Sequence, residues 1–183
     1  MDLRPARKDE RHKLARLFQR ARNGWDFVPP VPDDVLPQIA DDLVARHEEL
    51  WVAEEDGRLL GFVAIRRSRR HGWEVVEKLY VDPDAQGHGV GSALLDLAKA
   101  LRPDGLVLWV FQENTGARRF YERHGFRVVT LRFGAAADNM EGEPDALYGW
   151  PGVSSERAPA ASGRVSSARS RAAGSRSCPR RSR

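Results

Sequence analysis

Chemistry is concentrated first in the run Gln86-Gly87-His88-Gly89-Val90-Gly91-Ser92, which follows the apolar stretch Leu79-Tyr80-Val81 and the pair Asp82-Pro83. Gly87, Gly89 and Gly91 lack a Cβ, so the backbone there can take positive φ and a ligand can approach the amides closely. Ala93, Leu94 and Leu95 then begin a helical pattern. The first N–H groups of a helix have no intrahelical partner, and the helix dipole adds partial positive charge at that end. A strand, a glycine turn and a helix start in this order make an anion site, suited above all to phosphates. The same glycines also suit a plain turn. Two common phosphate motifs are excluded: no Gly-x-x-x-x-Gly-Lys-Ser/Thr string occurs, and the run lacks the third glycine of Gly-x-Gly-x-x-Gly. His88 and His124 have no Cys or carboxylate at metal-ligand spacing, so no metal is expected.

The elements that must position this run are legible from periodicity. Asp2 to Ala6 reads as a short first strand, with Pro5 fitting an edge. Leu14, Leu17, Phe18 and Ala21 recur at helical spacing and stop at Asn23-Gly24. Residues 25–34 contain three prolines and read as a loop with exposed aromatics, Trp25 and Phe27. Asp33 or Asp34 is expected to cap a second helix bearing Val35, Leu36, Ile39 and Leu43 and ending near His47. Asp56-Gly57 joins two strands, 50–54 and 59–65, as a hairpin. Arg66 to Gly72 is basic and turn-like, and 73–81 is the next strand, feeding the glycine run. A helix burying Leu94, Leu95, Ala98 and Leu101 ends at Pro103-Asp104-Gly105, and Leu106 to Phe111 is apolar on both faces, as in a covered parallel strand. A short helix follows to His124, then strands at 126–133 and 146–150.

Composition bounds the alternatives. The chain has 183 residues, 41% hydrophobic and 31% charged, enough for one domain with a real core. Residues 151–183 hold eight arginines against Glu156 alone, a charge of +7, so the first 150 residues carry −3 of the overall +4. That body gives no general case for nucleic acid. The reading is a domain over 1–150 and a disordered Arg/Ser/Ala-rich tail over 151–183. Cys178 is the only cysteine, which excludes a disulfide framework, and no apolar run is long enough to span a bilayer. With no secretory apolar segment at the N-terminus, a cytoplasmic location is expected.

A second stretch gives the glycine run its context. Gln86-x-x-Gly89-x-Gly91 resembles the acetyl-coenzyme A signature of the GNAT superfamily of N-acetyltransferases, Arg/Gln-x-x-Gly-x-Gly/Ala. Asn114-x-x-Ala117-x-x-Phe120-Tyr121-x-x-x-Gly125-Phe126 is similar to that family's second signature at every position. The resemblance covers residues 2 to about 150 in element order. It implies an α/β (α+β) fold, a mixed, mostly antiparallel sheet of about seven strands with helices on both faces. The fourth and fifth strands splay apart to admit acetyl-CoA, the co-substrate, with no metal. The function implied is acetyl transfer to an amine of a small molecule or a protein by direct attack in a ternary complex. A catalytically silent acyl-CoA-binding regulatory or partner-binding domain is the alternative.

The resemblance also assigns residues. Amides of Leu79, Tyr80 and Val81 are expected to polarise the thioester and pair with the pantetheine. Gln86, Gly87, His88, Gly89, Val90, Gly91 and Ser92 are expected at the pyrophosphate, with Gln86 supplying a hydrogen bond but no charge. Asn114, Ala117 and Tyr121 complete the cofactor set, Asn114 also being suited to cap its helix. Tyr121 corresponds to the acid that protonates the leaving thiolate; a core tyrosine is the structural alternative. Acetyl transfer also needs a base, and Glu77, two residues before Leu79 and so on the same strand face, is the candidate beside a solvated carboxylate. Glu74 falls on the other face unless a bulge intervenes. The loop with Trp25 and Phe27 is expected to form part of the acceptor wall. Acceptor identity is open, as is a homodimer through edge strand 146–150 or a shared sheet.

Overall fold

The computed structural model describes residues 1–45, 49–68, 72–133 and 142–151. The end of the second helix at His47 and the Arg-rich tail from 152 onward lie outside the described residues. In chain order the elements are β1 (Asp2–Pro5), α1 (Arg11–Arg22), α2 (Leu36–Ala45), β2 (Glu49–Glu55), β3 (Arg58–Arg67), β4 (Glu74–Val81), α3 (Val90–Leu101), β5 (Leu106–Phe111), α4 (Thr115–Arg123), β6 (Arg127–Arg132) and β7 (Asp145–Trp150). The strands form one sheet in the order β1-β2-β3-β4-β5-β7-β6, with β4 and β5 parallel and every other pair antiparallel.

Helices cover both faces. The apolar stripe of α1 (Leu14, Leu17, Phe18) and that of α2 (Leu36, Ala40, Leu43) meet Val52 and Phe62 on one face. On the other, Val90, Leu94, Leu95 and Ala98 of α3 and Tyr121 of α4 pack on Val63, Ile65, Val76, Leu108 and Tyr148. The α3 crossover between parallel neighbours β4 and β5 is the βαβ unit that the apolar run 106–111 implied.

Local chemistry explains most boundaries. Asp56 (φ 50°) and Gly57 (φ 78°) both take the left-handed region, which a two-residue hairpin turn requires. Gly61 sits where α3 crosses β3: a Cβ there would lie 2.9 Å from the Tyr80 carbonyl oxygen and 3.1 Å from Leu94. Any side chain would lift the helix that follows the glycine run.

Four expectations change. Neither Asp33 nor Asp34 caps the second helix; a 3-10 turn over Asp33–Val35 precedes α2, its N-cap is Pro32, and Asp33 instead accepts from the Gln19 side chain at 2.7 Å. Arg66 and Arg67 are strand, because ion pairs to Glu77 and Glu74 carry the β3–β4 ladder past the apolar stretch. Strand 146–150 is not an edge: β7 inserts between β5 and β6, with Asp145 to Gly149 buried. Asp145 pays for its burial by pairing with Arg132 of β6, Nε to Oδ1 2.8 Å, and β6 is left as the edge, exposing Val128 and Leu131. Finally, β4 carries a bulge. Ala64 pairs with Lys78 and Ile65 with Val76, leaving Glu77 as the extra residue.

Candidate active site

The sheet opens where the glycine run begins. β4 meets β5 through the single pair Val75–Val107, after which the two strands diverge. Beyond that point Leu79, Tyr80 and Val81 pair, among the described residues, with Val63, Phe62 and Gly61 of β3. An extended chain entering the gap would find β4 main-chain groups to pair with.

At the mouth of the gap, Asp82 ends the strand and accepts from the Asp84 N–H at 3.0 Å, fixing a 3-10 turn over Pro83–Ala85. Gln86 donates its side-chain N–H to the Val81 carbonyl at 3.2 Å, so its amide lies back over the strand end. Gly87 (φ 80°) and Gly89 (φ 82°) are left-handed, and Gly89 is the N-cap of α3. A Cβ at either would meet no atom within 4 Å, so these glycines serve backbone conformation and leave open space beside the amides. Gly91 differs from the expectation of positive φ: it is inside α3, where a Cβ would touch Phe120 at 3.5 Å and Val81 at 3.6 Å. The turn thus fits a bound diphosphate by two independent features, open glycine backbone and the unpaired amides of a twelve-residue helix.

The other residues expected at the co-substrate lie on this turn, on α3 and on α4. His88 is exposed, its Nδ1 2.9 Å from the Gln86 carbonyl oxygen in the same loop. Ser92 Oγ lies 3.0 Å from His124 Nε2, and His124 Nδ1 donates to the Phe120 carbonyl at 2.8 Å, which ties the first turn of α3 to the end of α4. Asn114 caps α4 by accepting from the Ala117 N–H at 3.0 Å. Val90 is buried against the core.

Tyr121 is 9% exposed, with its ring edge-on to Phe120 (5.1 Å) and Phe126 (5.7 Å). No hydrogen bond restrains its hydroxyl among the described residues. Burial pushes the phenol well above its ordinary pKa, and the neighbouring Tyr80 phenol adds to the effect. The group therefore holds its proton throughout the neutral range.

The bulge overturns the face assigned to Glu77. Val76, Leu79 and Val81 now share the α3 side, whereas Glu77 bonds Arg66 Nε on the side occupied by Lys78 and Tyr80. Glu74 is the carboxylate on the α3 side, 2.8 Å from Arg102 Nε just past that helix. One inserted residue exchanges the two carboxylates.

On Glu77's side the gap is walled by rings. Trp25 stacks on Phe27 (5.4 Å) and Tyr80 (6.1 Å), and Phe27 meets Phe111 at the end of β5 edge-on (5.8 Å). Trp25 and Phe27 are half-buried here, not exposed. Their loop is stapled at its base: Val31 N–H donates to Asn23 Oδ1 (2.7 Å), and Gln19 donates to the Val31 carbonyl (2.9 Å). The side chains of Tyr80 and Phe111 were not singled out from sequence. An aromatic ending an apolar strand is the only signal either carries.

The chain matches an acetyltransferase (GNAT) domain family model over residues 46–128. It is 35% identical over 120 residues to the peptidyl-lysine N-acetyltransferase YiaC of Escherichia coli K12, covering 66% of this chain and 75% of that protein. The chain belongs to the GNAT acetyltransferases. A second GNAT relative, the peptidyl-lysine N-acetyltransferase YjaB of Salmonella typhimurium, is 31% identical over 131 residues, covering 70% of this chain and 85% of the relative. The solution structure of Escherichia coli YjaB shares the GNAT fold, with a TM-score of 0.62 at 24% identity over 83% of this chain and 98% of the other. Acetyl transfer from acetyl-CoA to an amine is the activity that accompanies membership. Among the described residues no group of three or more His, Cys, Asp or Glu could hold a metal, and no helix is long and apolar enough to cross a membrane.

Proposed function

We propose that this GNAT enzyme acetylates lysine side chains of a protein or peptide, using acetyl-CoA, by direct transfer in a ternary complex. The observation that carries the reading is the ring-walled gap between β4 and β5, with Glu77's strand face on one side and Tyr121, packed in the core of the α3 side, on the other. A lysine stem is four methylenes long and can lie against Trp25, Phe27, Tyr80 and Phe111 while its nitrogen enters the gap. Rings also disfavour the ammonium's hydration shell, easing loss of the proton that blocks nucleophilic attack. Two relatives above 30% identity carry a peptidyl-lysine name, which agrees with this class of acceptor.

The proposed reading gives each residue a role. Amides of residues 87–92 hold the diphosphate without a metal, and Leu79, Tyr80 and Val81 orient the pantetheine along β4. Acetyl-CoA, when bound, supplies an activated thioester carbonyl. Glu77, directly or through a water, accepts the proton from the attacking amine. Tyr121 holds its own proton at Oη, ready for the departing sulfur. Asn114 fixes the start of α4 and so the height of Tyr121.

A panel of acceptors tests the class. Thiol release from acetyl-CoA should be fastest with lysine-containing peptides, slower with free lysine, and slowest with short-stemmed amines and polyamines. Equal rates with peptides blocked at lysine Nζ but free at the α-amine would assign the acceptor to protein N-termini instead.

A further inference from the structure

Where β4 leaves the sheet, two carboxylates and two guanidiniums from three separate elements converge. The Asp82 side chain is 6% exposed, and its Oδ1 accepts from Arg20 Nη2 of α1 (3.3 Å), from Arg58 Nη2 at the start of β3 (3.1 Å) and from the Asp84 N–H (3.0 Å). Asp84 Oδ2 takes the same two guanidiniums, Arg20 at 3.0 Å and Arg58 at 3.1 Å. Arg20 first and Arg58 second hold the Asp84 carboxyl below the usual carboxylate range. An isolated surface ion pair contributes little. Here one carboxylate is buried, both cations are shared, and breaking such a pair leaves an uncompensated buried charge.

The location gives the cluster its meaning. Asp82 and Asp84 bracket Pro83, and the glycine turn starts two residues after Asp84. Gly87 and Gly89 carry no steric restraint, since no atom lies within 4 Å of either potential Cβ, and the Gln86–Val81 and His88–Gln86 bonds restrain the turn only through exposed side chains. A turn of that kind is accurate only if its entry is held. Its exit is held by α3, seated on Gly61, and by the Ser92–His124 bond. Its entry is held by the Asp84 N–H bond to Asp82, by the Gln86 bond to the Val81 carbonyl and by the four charges that fix both aspartates.

We propose that Arg20 and Arg58 are positioning residues for acetyl-CoA, clasping Asp82 and Asp84 so that the amides of 87–92 converge on the diphosphate. Neither arginine belongs to either sequence signature. Arg20 also lies one turn before Asn23, which staples the aromatic loop, so α1 connects the donor turn to the acceptor wall.

The proposal rests on the acetyltransferase reading, so calorimetric titration of the full chain with coenzyme A comes first. Failure of the wild type to bind overturns both. Given binding, the double variant Arg20→Gln/Arg58→Gln should weaken coenzyme A about tenfold. On a lysine peptide it should raise KM for acetyl-CoA similarly while kcat stays within about twofold. Arg20→Lys/Arg58→Lys should recover most of the affinity, because charge is what the carboxylates require. Asp84→Asn, at an exposed side chain that cannot unfold the protein by burial, should weaken coenzyme A about threefold. Coenzyme A affinity within twofold of wild type in both the Gln pair and Asp84→Asn would overturn the clasp. So would a loss matched equally in amine KM, kcat and Tm and not recovered by lysine, since that pattern belongs to a general packing defect.

Discussion

On the donor side of the gap, residues 79–92 supply a strand end, a turn and a helix start from one continuous stretch, and Asn114 to Tyr121 follow from a second. On the acceptor side, Trp25 and Phe27 stack within one loop, but Tyr80 comes from β4 and Phe111 from β5, and these meet the loop only through the tertiary fold. The donor half is local in sequence because a diphosphate is read by backbone amides, and backbone conformation is set by neighbouring Gly, Pro and Asp. The proposed acceptor half is assembled at long range, from side chains on a loop and two strands. A GNAT domain can therefore keep its co-substrate while its acceptor changes by substitution at scattered positions.

Perturbations on the two sides should separate. The largest effect expected is at the shared centre: Tyr121→Phe should cost about 100-fold in kcat with either KM little changed, and steady-state kinetics showing a loss under about threefold would make Tyr121 a packing residue. Next is a pair of glycines. Gly89→Val forces a branched side chain to φ 82° and should raise KM for acetyl-CoA about thirtyfold, whereas Gly91→Ala, with its Cβ at ordinary contact with Phe120, should stay within about threefold. Equal effects at both would mean that the helix, not the turn, governs donor affinity.

Glu77→Gln should lower kcat about tenfold near neutral pH, with the deficit shrinking as the pH rises toward the amine's own pKa, where the nucleophile loses its proton unaided. A pH-independent kcat equal to wild type would remove Glu77 from the reaction. The smallest effect, and the one that most directly probes the two-sided construction, is Trp25→Ala. It should raise KM for a lysine peptide about fivefold and leave KM for acetyl-CoA unchanged. A matching rise in both would show that the aromatic wall supports the donor turn as well.

How much was legible follows the same division. The hairpin at Asp56-Gly57 and the Asn114 cap are readable because each rests on contacts within a few residues, and the α3 crossover because a strand apolar on both faces, 106–111, follows the helix. The edge assigned to 146–150 was not, because nothing in a short apolar strand says which neighbours it will pair with; buried Asp145, which needs Arg132 of β6, reflects that choice. The helix cap assigned to Asp33 or Asp34 gave way to a tertiary partner, Gln19, competing for the Asp33 carboxylate. Gly61 carries a sequence signal of its own: a glycine inside a strand marks a close approach, here that of α3.

By itself, then, the sequence determined the family, the order of elements and the glycine turn that opens α3, since these depend on residue types at fixed short spacing. Only the tertiary structure decided which carboxylate of β4 faces the aromatic wall. Strand alternation has a period of two, so one bulged residue reverses every assignment made by counting, and the bulge at Glu77 exists only in register with β3. The clasp of Arg20 and Arg58 on Asp82 and Asp84 is of the same kind: α1, β3 and the end of β4 must be brought together before four scattered charges become one device.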